Sequence, residues 1–378
     1  MYLSQQDAAW AAETMEKIKM KMKPVTERSH GKIPYTTVDG VFDDRSGSRD
    51  ISWWTNGFWG GMMWQLYALT GDELYRETAE ELETKLDAVL MRADGLVHDN
   101  GFKWLLTAVA DYRLTKNPES RNRALLAANT LAGRFNLAGN FIRAWNDWGE
   151  DDHRGWAIID CMMNLPLLYW ASEETKDPRF QQIAVAHANM AQQCFVREDG
   201  SVNHIVEFDP FTGEMVRSHG GQGYETGSSW TRGQSWGLYG FVLSYIHTGD
   251  GHYLNTAKRI AHYFMANTPE NGLIPVDFRQ PAECAWEDST AAAIASCGLI
   301  ELSRHTEGRD SSLYRNAAVK MLKALDASRC SWGTEKDHLL ERCTAAYHDK
   351  EHEIAIIYGD YYFIEAIWKL AGEDLFIW

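Results

Sequence analysis

Asp160 sits in the stretch Trp156 to Leu168, which is otherwise almost wholly apolar. A carboxyl so poorly solvated ionises reluctantly, and a second carboxylate nearby, such as Asp99, would raise its pKa further. Such a group can hold a proton near neutral pH and hand it to a substrate. The competing reading is structural, with Asp160 capping or bonding a neighbouring helix. Asp99 follows His98 at the head of another apolar segment, where Asp is also a good helix N-cap. Arg232 lies between Trp230 and Trp236 at a helix start, where the dipole favours anions. It therefore calls for a carboxylate, from the protein as a structural ion pair or from a substrate. Trp54, Phe58, Trp145 and Trp236 are either core residues or faces for sugar rings. His204 is ambiguous in the same way. Asp288 and Asp360 read as caps or shape-keeping residues.

These residues need helices to position them. The phrase Thr70-Gly-Asp recurs as Thr115-Lys-Asn, Thr175-Lys-Asp and Thr248-Gly-Asp, with a looser version at Gly308-Arg-Asp. Each separates two helical patterns, and the Asp or Asn can cap the second. After the first turn, Tyr75, Ala79, Leu82, Leu86 and Leu90 step by three or four with charges between them, as in an outer helix with one wet side. Before it, Phe58 to Leu69 carries no charge and reads as an inner helix. Inner helices are predicted over 54–69, 99–114, 157–174, 230–247, 287–305 and 359–371. The N-terminal helix, about 5–22, supplies the sixth outer member. The fold class is therefore all-α, an (α/α)6 barrel of six helical hairpins, with residues 1–378 forming one catalytic domain. Two short strands, Ser201 to Phe208 and Glu214 to Arg217, form a small inserted β-hairpin at the mouth, and 331–358 reads as a lid. Inner-helix N-termini gather at one end, and the candidate residues cluster there.

The chain has 378 residues and a formal net charge of −16, so no basic field exists to attract nucleic acid. No apolar run approaches a membrane span. The first residues read as an amphipathic helix without the pattern of a secretory signal, and the six scattered cysteines read as free thiols, which together point to the cytoplasm. No metal-binding motif and no cofactor motif is present. Sixteen Trp, 16 Tyr and 14 Phe supply aromatic faces suited to sugars.

Nearly the whole chain resembles the unsaturated glucuronyl hydrolases, glycoside hydrolase family 88. The resemblance is carried by Trp53 to Gly60, His98 to Phe102, Ile158 to Leu167, Ser229 to Gly240, Trp286 to Ile294 and Tyr358 to Tyr362. The unsaturated rhamnogalacturonyl hydrolases of family 105 share the barrel and the Asp pair, but Thr231 to Gln234 is more similar to family 88. The resemblance implies a barrel that removes a 4,5-unsaturated uronic acid from the non-reducing end of lyase-generated oligosaccharides, without cofactor or metal. It implies Asp160 as general acid/base and Asp99 as its partner. His98, Trp54, Phe58, Trp145, His204, Gln222, Arg232 and Trp236 would then line the sugar site. Some family members that accept sulfated glycosaminoglycans carry a Ser-x-x-Ser-x-Lys pattern where this chain has Cys343 to Lys350 without the serines, and Asp349, Glu351 and Glu353 lie close by; a preference for sulfated disaccharides is therefore not expected. Two other readings remain: a sugar epimerase or isomerase using His98 and His204 as acid and base, and a non-catalytic oligosaccharide-binding toroid.

Overall fold

The protein is described by a computed structural model covering residues 3–47, 50–149, 152–373 and 375–378, with the Cys284 side chain outside the described set. Its helices are α1 (Gln5–Ser29), α2 (Phe58–Thr70), α3 (Glu73–Leu90), α4 (Asn100–Trp104), α5 (Ala110–Thr115) and α6 (Pro118–Ala132). They continue as α7 (Leu165–Thr175), α8 (Pro178–Cys194), α9 (Thr231–Thr248), α10 (Gly251–Asn267), α11 (Ser289–Arg304), α12 (Gly308–Ser328) and α13 (Ile357–Ala371). A π-helical turn, Leu105–Val109, joins α4 to α5, so these two act as one inner member. The inner ring is α2, α4–α5, α7, α9, α11 and α13, and it closes where α13 packs on α2. Outside it lie α3, α6, α8, α10, α12 and α1, making an (α/α)6 barrel of six hairpins.

The recurring phrase forms the hairpin turns through one set of local bonds. In four of them the Thr hydroxyl donates to the carbonyl four residues back, closing the inner helix, and accepts the N–H two residues on. The next residue adopts a left-handed conformation at Gly71, Lys116, Lys176 and Gly249. Then Asp72, Asn117, Asp177 or Asp250 caps the outer helix through its side chain. The fifth turn departs from this: Glu307 is the N-cap residue without a side-chain bond, and Asp310 lies inside the first turn of α12.

The third inner segment corrects the sequence reading. Residues 157–163 are not α-helical. Trp156–Ile158 form a strand and Ile159–Met163 a 3-10 turn, and α7 begins only at Leu165, with Pro166 in its first turn. Strands β1 (Thr37–Val38) and β2 (Val41–Phe42) pair, as do β3 (Phe135–Asn136) and β4 (Phe141–Ile142). The expected hairpin is β6 (Ile205–Phe208) with β7 (Met215–His219), and β5 (Trp156–Ile158) adds to it in the order β5-β6-β7, all antiparallel. Val206 and Phe208 face the barrel core. Ile158 and Ile205 face the other way, in a small cluster with Ala144, Trp145 and Trp156.

The expected lid, 331–358, is an irregular segment held by isolated bridges Cys330↔Leu340 and Cys343↔Ile354. Asp360, at the start of α13, accepts the N–H groups of Leu339 and Leu340 at 2.9 and 2.7 Å, as a shape-keeping residue would. Asp288 caps α11 through the Thr290 N–H. None of the described helices is long and apolar enough to cross a membrane. The five cysteines whose side chains are described carry free thiols.

Candidate active site

A pit of about 370 Å³ opens at the end of the barrel where inner helices begin. Its wall takes Ser52, Trp53 and Trp54 from the approach to α2, Asp94, Gly95 and Val97 to Asp99 from the approach to α4, Ile158 and Asp160 from β5 and its 3-10 turn, plus Trp145 and Gln222. Thus Asp99, Asp160, His98, Trp54, Trp145 and Gln222 share one cavity. Phe58, His204, Arg232 and Trp236 do not reach it. The starts of α9, α11 and α13 are therefore sealed off rather than open to a common funnel.

The two carboxyls are brought together by backbone contacts. His98 N–H donates to Ala144 O, Ala144 N–H to Trp156 O, and Ile159 N–H to His204 O, so the loop before α4, the 144 segment, β5 and β6 form one frame. Asn164 joins the two acidic turns: its Oδ1 accepts the Phe102 N–H at 2.8 Å and its Nδ2 donates to Asp160 O at 3.4 Å. That crossing demands glycine at 101, because a Cβ there would lie 2.5 Å from Asn164 Cα. On the far side, a Cβ on Gly240 of α9 would lie 2.4 Å from Met162 Cβ.

Asp160 caps nothing. Its Oδ2 is buried without a hydrogen-bond partner, 3.7 Å from His204 Nε2, which is also buried and unpartnered. Burial first, and the charge of Asp99 second, push its pKa up to about 8, against the opposing pull of Arg232. At neutral pH this carboxyl keeps its proton. Asp99 is also displaced upward, to about 7, by burial, with Lys103 and Arg134 opposing. It occupies the N-cap position of α4 but makes no side-chain capping bond, contrary to the capping alternative; its Oδ1 lies 3.3 Å from His98 Nε2 instead.

Both histidines are neutral, since burial lowers His98 well below 6.5 and His204 to about 3. His204 Nδ1 lies 3.0 Å from the Gln222 backbone nitrogen and 3.3 Å from Gly220 O, while its Nε2 faces Asp160. A pair of such histidines poorly suits the acid and base of an epimerase.

Arg232 satisfies the need for a carboxylate inside the protein. Its Nη1 bonds Asp288 Oδ2 and Thr344 O, both at 2.7 Å, and its Nη2 donates to Ala345 O. The guanidinium stacks over Trp230 and is fully buried because residues 343–347 lie across the start of α9. The same segment takes the Gln222 side-chain N–H at Ala345 O and returns the Tyr347 N–H to Gln222 O. Phe58 is buried against Trp54, Phe102, Tyr358, Tyr361 and Tyr362. Trp236 packs against Phe102 and Tyr362, and its N–H favours ionised Asp160 from outside hydrogen-bond geometry. Phe58 and Trp236 thus back the wall and do not form it.

Three contributors, Lys103, Arg134 and Asn164, carry no role in the sequence reading. Lys103 is buried beneath the pit, with Nζ on Ser52 O and Gly95 O at 3.3 Å each, and its charge opposes protonation of Asp99. A lysine inside the apolar run Gly101 to Leu106 was the available signal. Asn164, before Leu-Pro, had no comparable signal. Lys103, Arg134 and Arg232 place positive charge around the pit in a protein of charge −16. Among the described residues there is no group of three or more His, Cys, Asp and Glu suited to a metal ion.

Comparison with known proteins gives a consistent result. The profile described as Glycosyl Hydrolase Family 88 matches residues 18–327. An unsaturated glucuronyl hydrolase from Bacillus sp. (strain GL1) is 39% identical over 325 residues, covering 84% of this chain and 86% of that protein. An unsaturated chondroitin disaccharide hydrolase from Streptococcus pyogenes serotype M1 is 33% identical over 375 residues, 97% of this chain and 92% of that one. The solved structure of unsaturated glucuronyl hydrolase from Bacillus sp. GL1 superposes with a TM-score of 0.87 at 34% identity, over 94% of this chain and 96% of that one. A variant of the enzyme from Streptococcus agalactiae, complexed with dGlcA-GalNAc6S, gives 0.82 at 27% identity, over 98% and 94%.

Proposed function

The chain belongs to glycosyl hydrolase family 88, and on that footing we propose that it is an unsaturated uronyl hydrolase in which Asp160 both gives and takes the proton. The substrate is an oligosaccharide ending in a 4,5-unsaturated uronic acid, the product of a polysaccharide lyase. The observation that carries the assignment is a buried carboxyl in the pit wall that stays protonated at neutral pH beside a second carboxyl.

Asp160 donates its proton to C4 of the C4=C5 bond, and positive charge develops at C5, next to the ring oxygen. The same group, now a carboxylate, takes a proton from the water that adds to C5. The resulting hemiketal opens and releases the aglycone. An acid that must become a base one step later benefits from a pKa near the working pH. Asp99 keeps the proton on Asp160 in the resting state, and His98 and neutral His204 orient the two carboxyls. Trp54 and Trp145 supply ring faces, and Gln222 joins the sugar site to the 343–347 segment. Phe58 and Trp236 support these faces from behind. Lys103 and Arg134 offset the overall negative charge where an anionic sugar must enter, and Arg232, paired with Asp288, holds the 343–347 segment in place beside Gln222.

The residues 1–378 act as one catalytic domain, working without cofactor or metal, and the free thiols support a cytoplasmic location. The test is consumption of unsaturated disaccharides made by hyaluronan, chondroitin, heparin and pectin lyases, followed by the ultraviolet absorbance of the conjugated ene-carboxylate. Loss of absorbance with at least one of them is expected. Tight binding with no loss for any would favour the non-catalytic reading.

A further inference from the structure

A second cavity, of about 340 Å³, shares none of the pit's lining residues. Three arginines converge on it from separate places in the chain: Arg134 after α6, Arg143 after β4 and Arg154 just ahead of β5. Phe135, with Pro210 and Phe211 of the β6–β7 turn, forms its apolar side, fixed by a bond from Asn136 Nδ2 to Pro210 O at 2.9 Å. None of the described residues lining it carries a carboxylate.

The three cations are unevenly satisfied. Arg143 Nη2 lies 2.6 Å from Asp147 and Arg154 Nη2 lies 2.7 Å from Asp152, both exposed acids outside the lining. Arg134 makes no ion pair among the described residues. Its Nε donates to Arg143 O at 2.8 Å, and its Nη1 to Leu96 O and Asn146 Oδ1 at 2.9 and 3.0 Å. That leaves Arg134 Nη2 and Arg143 Nε buried with no hydrogen-bond partner. Burial first, and the charge of Arg143 second, press the pKa of Arg134 down to about 10, so like charges crowd here at a cost. A tetrahedral oxoanion relieves that cost, because it accepts from several guanidinium N–H groups at once and cancels their repulsion. The rings alongside keep part of the cavity wall apolar, which strengthens each charged contact.

We propose that this cavity is a binding site for a tetrahedral oxoanion, phosphate or sulfate, taken up as the free ion or as the ester of a small organic molecule. The site is separate from the reacting carboxyls, and it does not depend on which substrate the pit consumes.

The experiment is calorimetric titration of the protein with sodium phosphate, sodium sulfate and glucose 6-phosphate, each against sodium chloride at matched ionic strength. Saturable binding of at least one of them with a Kd of about 1 mM is expected, the scale of two or three charge-assisted bonds. Tighter binding of glucose 6-phosphate than of phosphate assigns the site to an ester; equal or weaker binding assigns it to the free ion. Arg143→Gln and Arg154→Gln should each weaken binding about tenfold, and Arg154→Lys should keep more of the affinity than Arg154→Gln. Arg217→Gln, which removes an arginine paired with Glu207, should leave it unchanged. Both target side chains are partly exposed, so melting temperatures without the oxoanion should match wild type. No saturable binding of any of the three by about 50 mM, unchanged affinity in both glutamine variants, or an equal loss in Arg217→Gln overturns the site.

Discussion

Replacing Asp160 by Asn should stabilise the protein while removing its activity. Asn is close in shape to a protonated carboxyl and needs no proton. In the unfolded chain Asp160 titrates at 3.8, and in the fold at about 8. Between these values the folded state binds a proton that the unfolded state does not, so the wild-type carboxyl favours folding fully only below 3.8, and that contribution is lost as pH rises toward 8. At about 1.4 kcal/mol per pH unit, the rise from 3.8 to pH 7 costs wild type on the order of 4 kcal/mol, which the Asn variant avoids. The advantage of Asp160→Asn in denaturant unfolding should therefore be smallest near pH 4, grow steadily and level off above pH 8. Turnover of the unsaturated disaccharide should fall by about 10²–10⁴-fold, the range for losing a general acid/base. A variant that is less stable than wild type at pH 8, or whose stability difference is flat from pH 5 to 8, would refute a buried, protonated Asp160. An active variant would refute its catalytic role.

Because the proton on Asp160 is needed to start the reaction, kcat should decline above about pH 8, and Asp99→Asn, which removes the second contributor to the raised value, should move that alkaline limb to lower pH; an unmoved limb in the pH–rate profile would separate the two carboxyls electrostatically. Gly101→Ala forces a Cβ to within 2.5 Å of Asn164 Cα and should cost about 1–3 kcal/mol in chemical denaturation, with loss of activity as the two acidic turns part. Wild-type stability and turnover in that variant would mean that the crossing is not tight.

The sequence by itself determined the hairpin architecture, because its signals are local. A Thr that bonds back one turn, a left-handed residue and an Asx cap lie within a few positions, and each of the four matching phrases makes the same bonds. The absence of charge in Phe58 to Leu69 likewise reports a helix buried on all sides from Phe58 to Leu66, before its last turn emerges. Asp160 was legible as a poorly solvated acid from its neighbours alone. Its backbone was not, since pairing of β5 with β6, far along the chain, overrides the helical pattern of 157–163. The position of Asp99 fits a helix cap, but only the packed site shows its carboxyl turned to His98. Which aromatics face the pit and which stand behind it was equally hidden, for Trp54 and Phe58 carry the same sequence signal and differ only in what packs over them. Tertiary structure alone decided that Arg232 spends its charge on Asp288 and the 343–347 segment: hydrogen bonds between distant segments leave no periodicity to read, and a buried cation takes whichever acceptors the fold brings within reach.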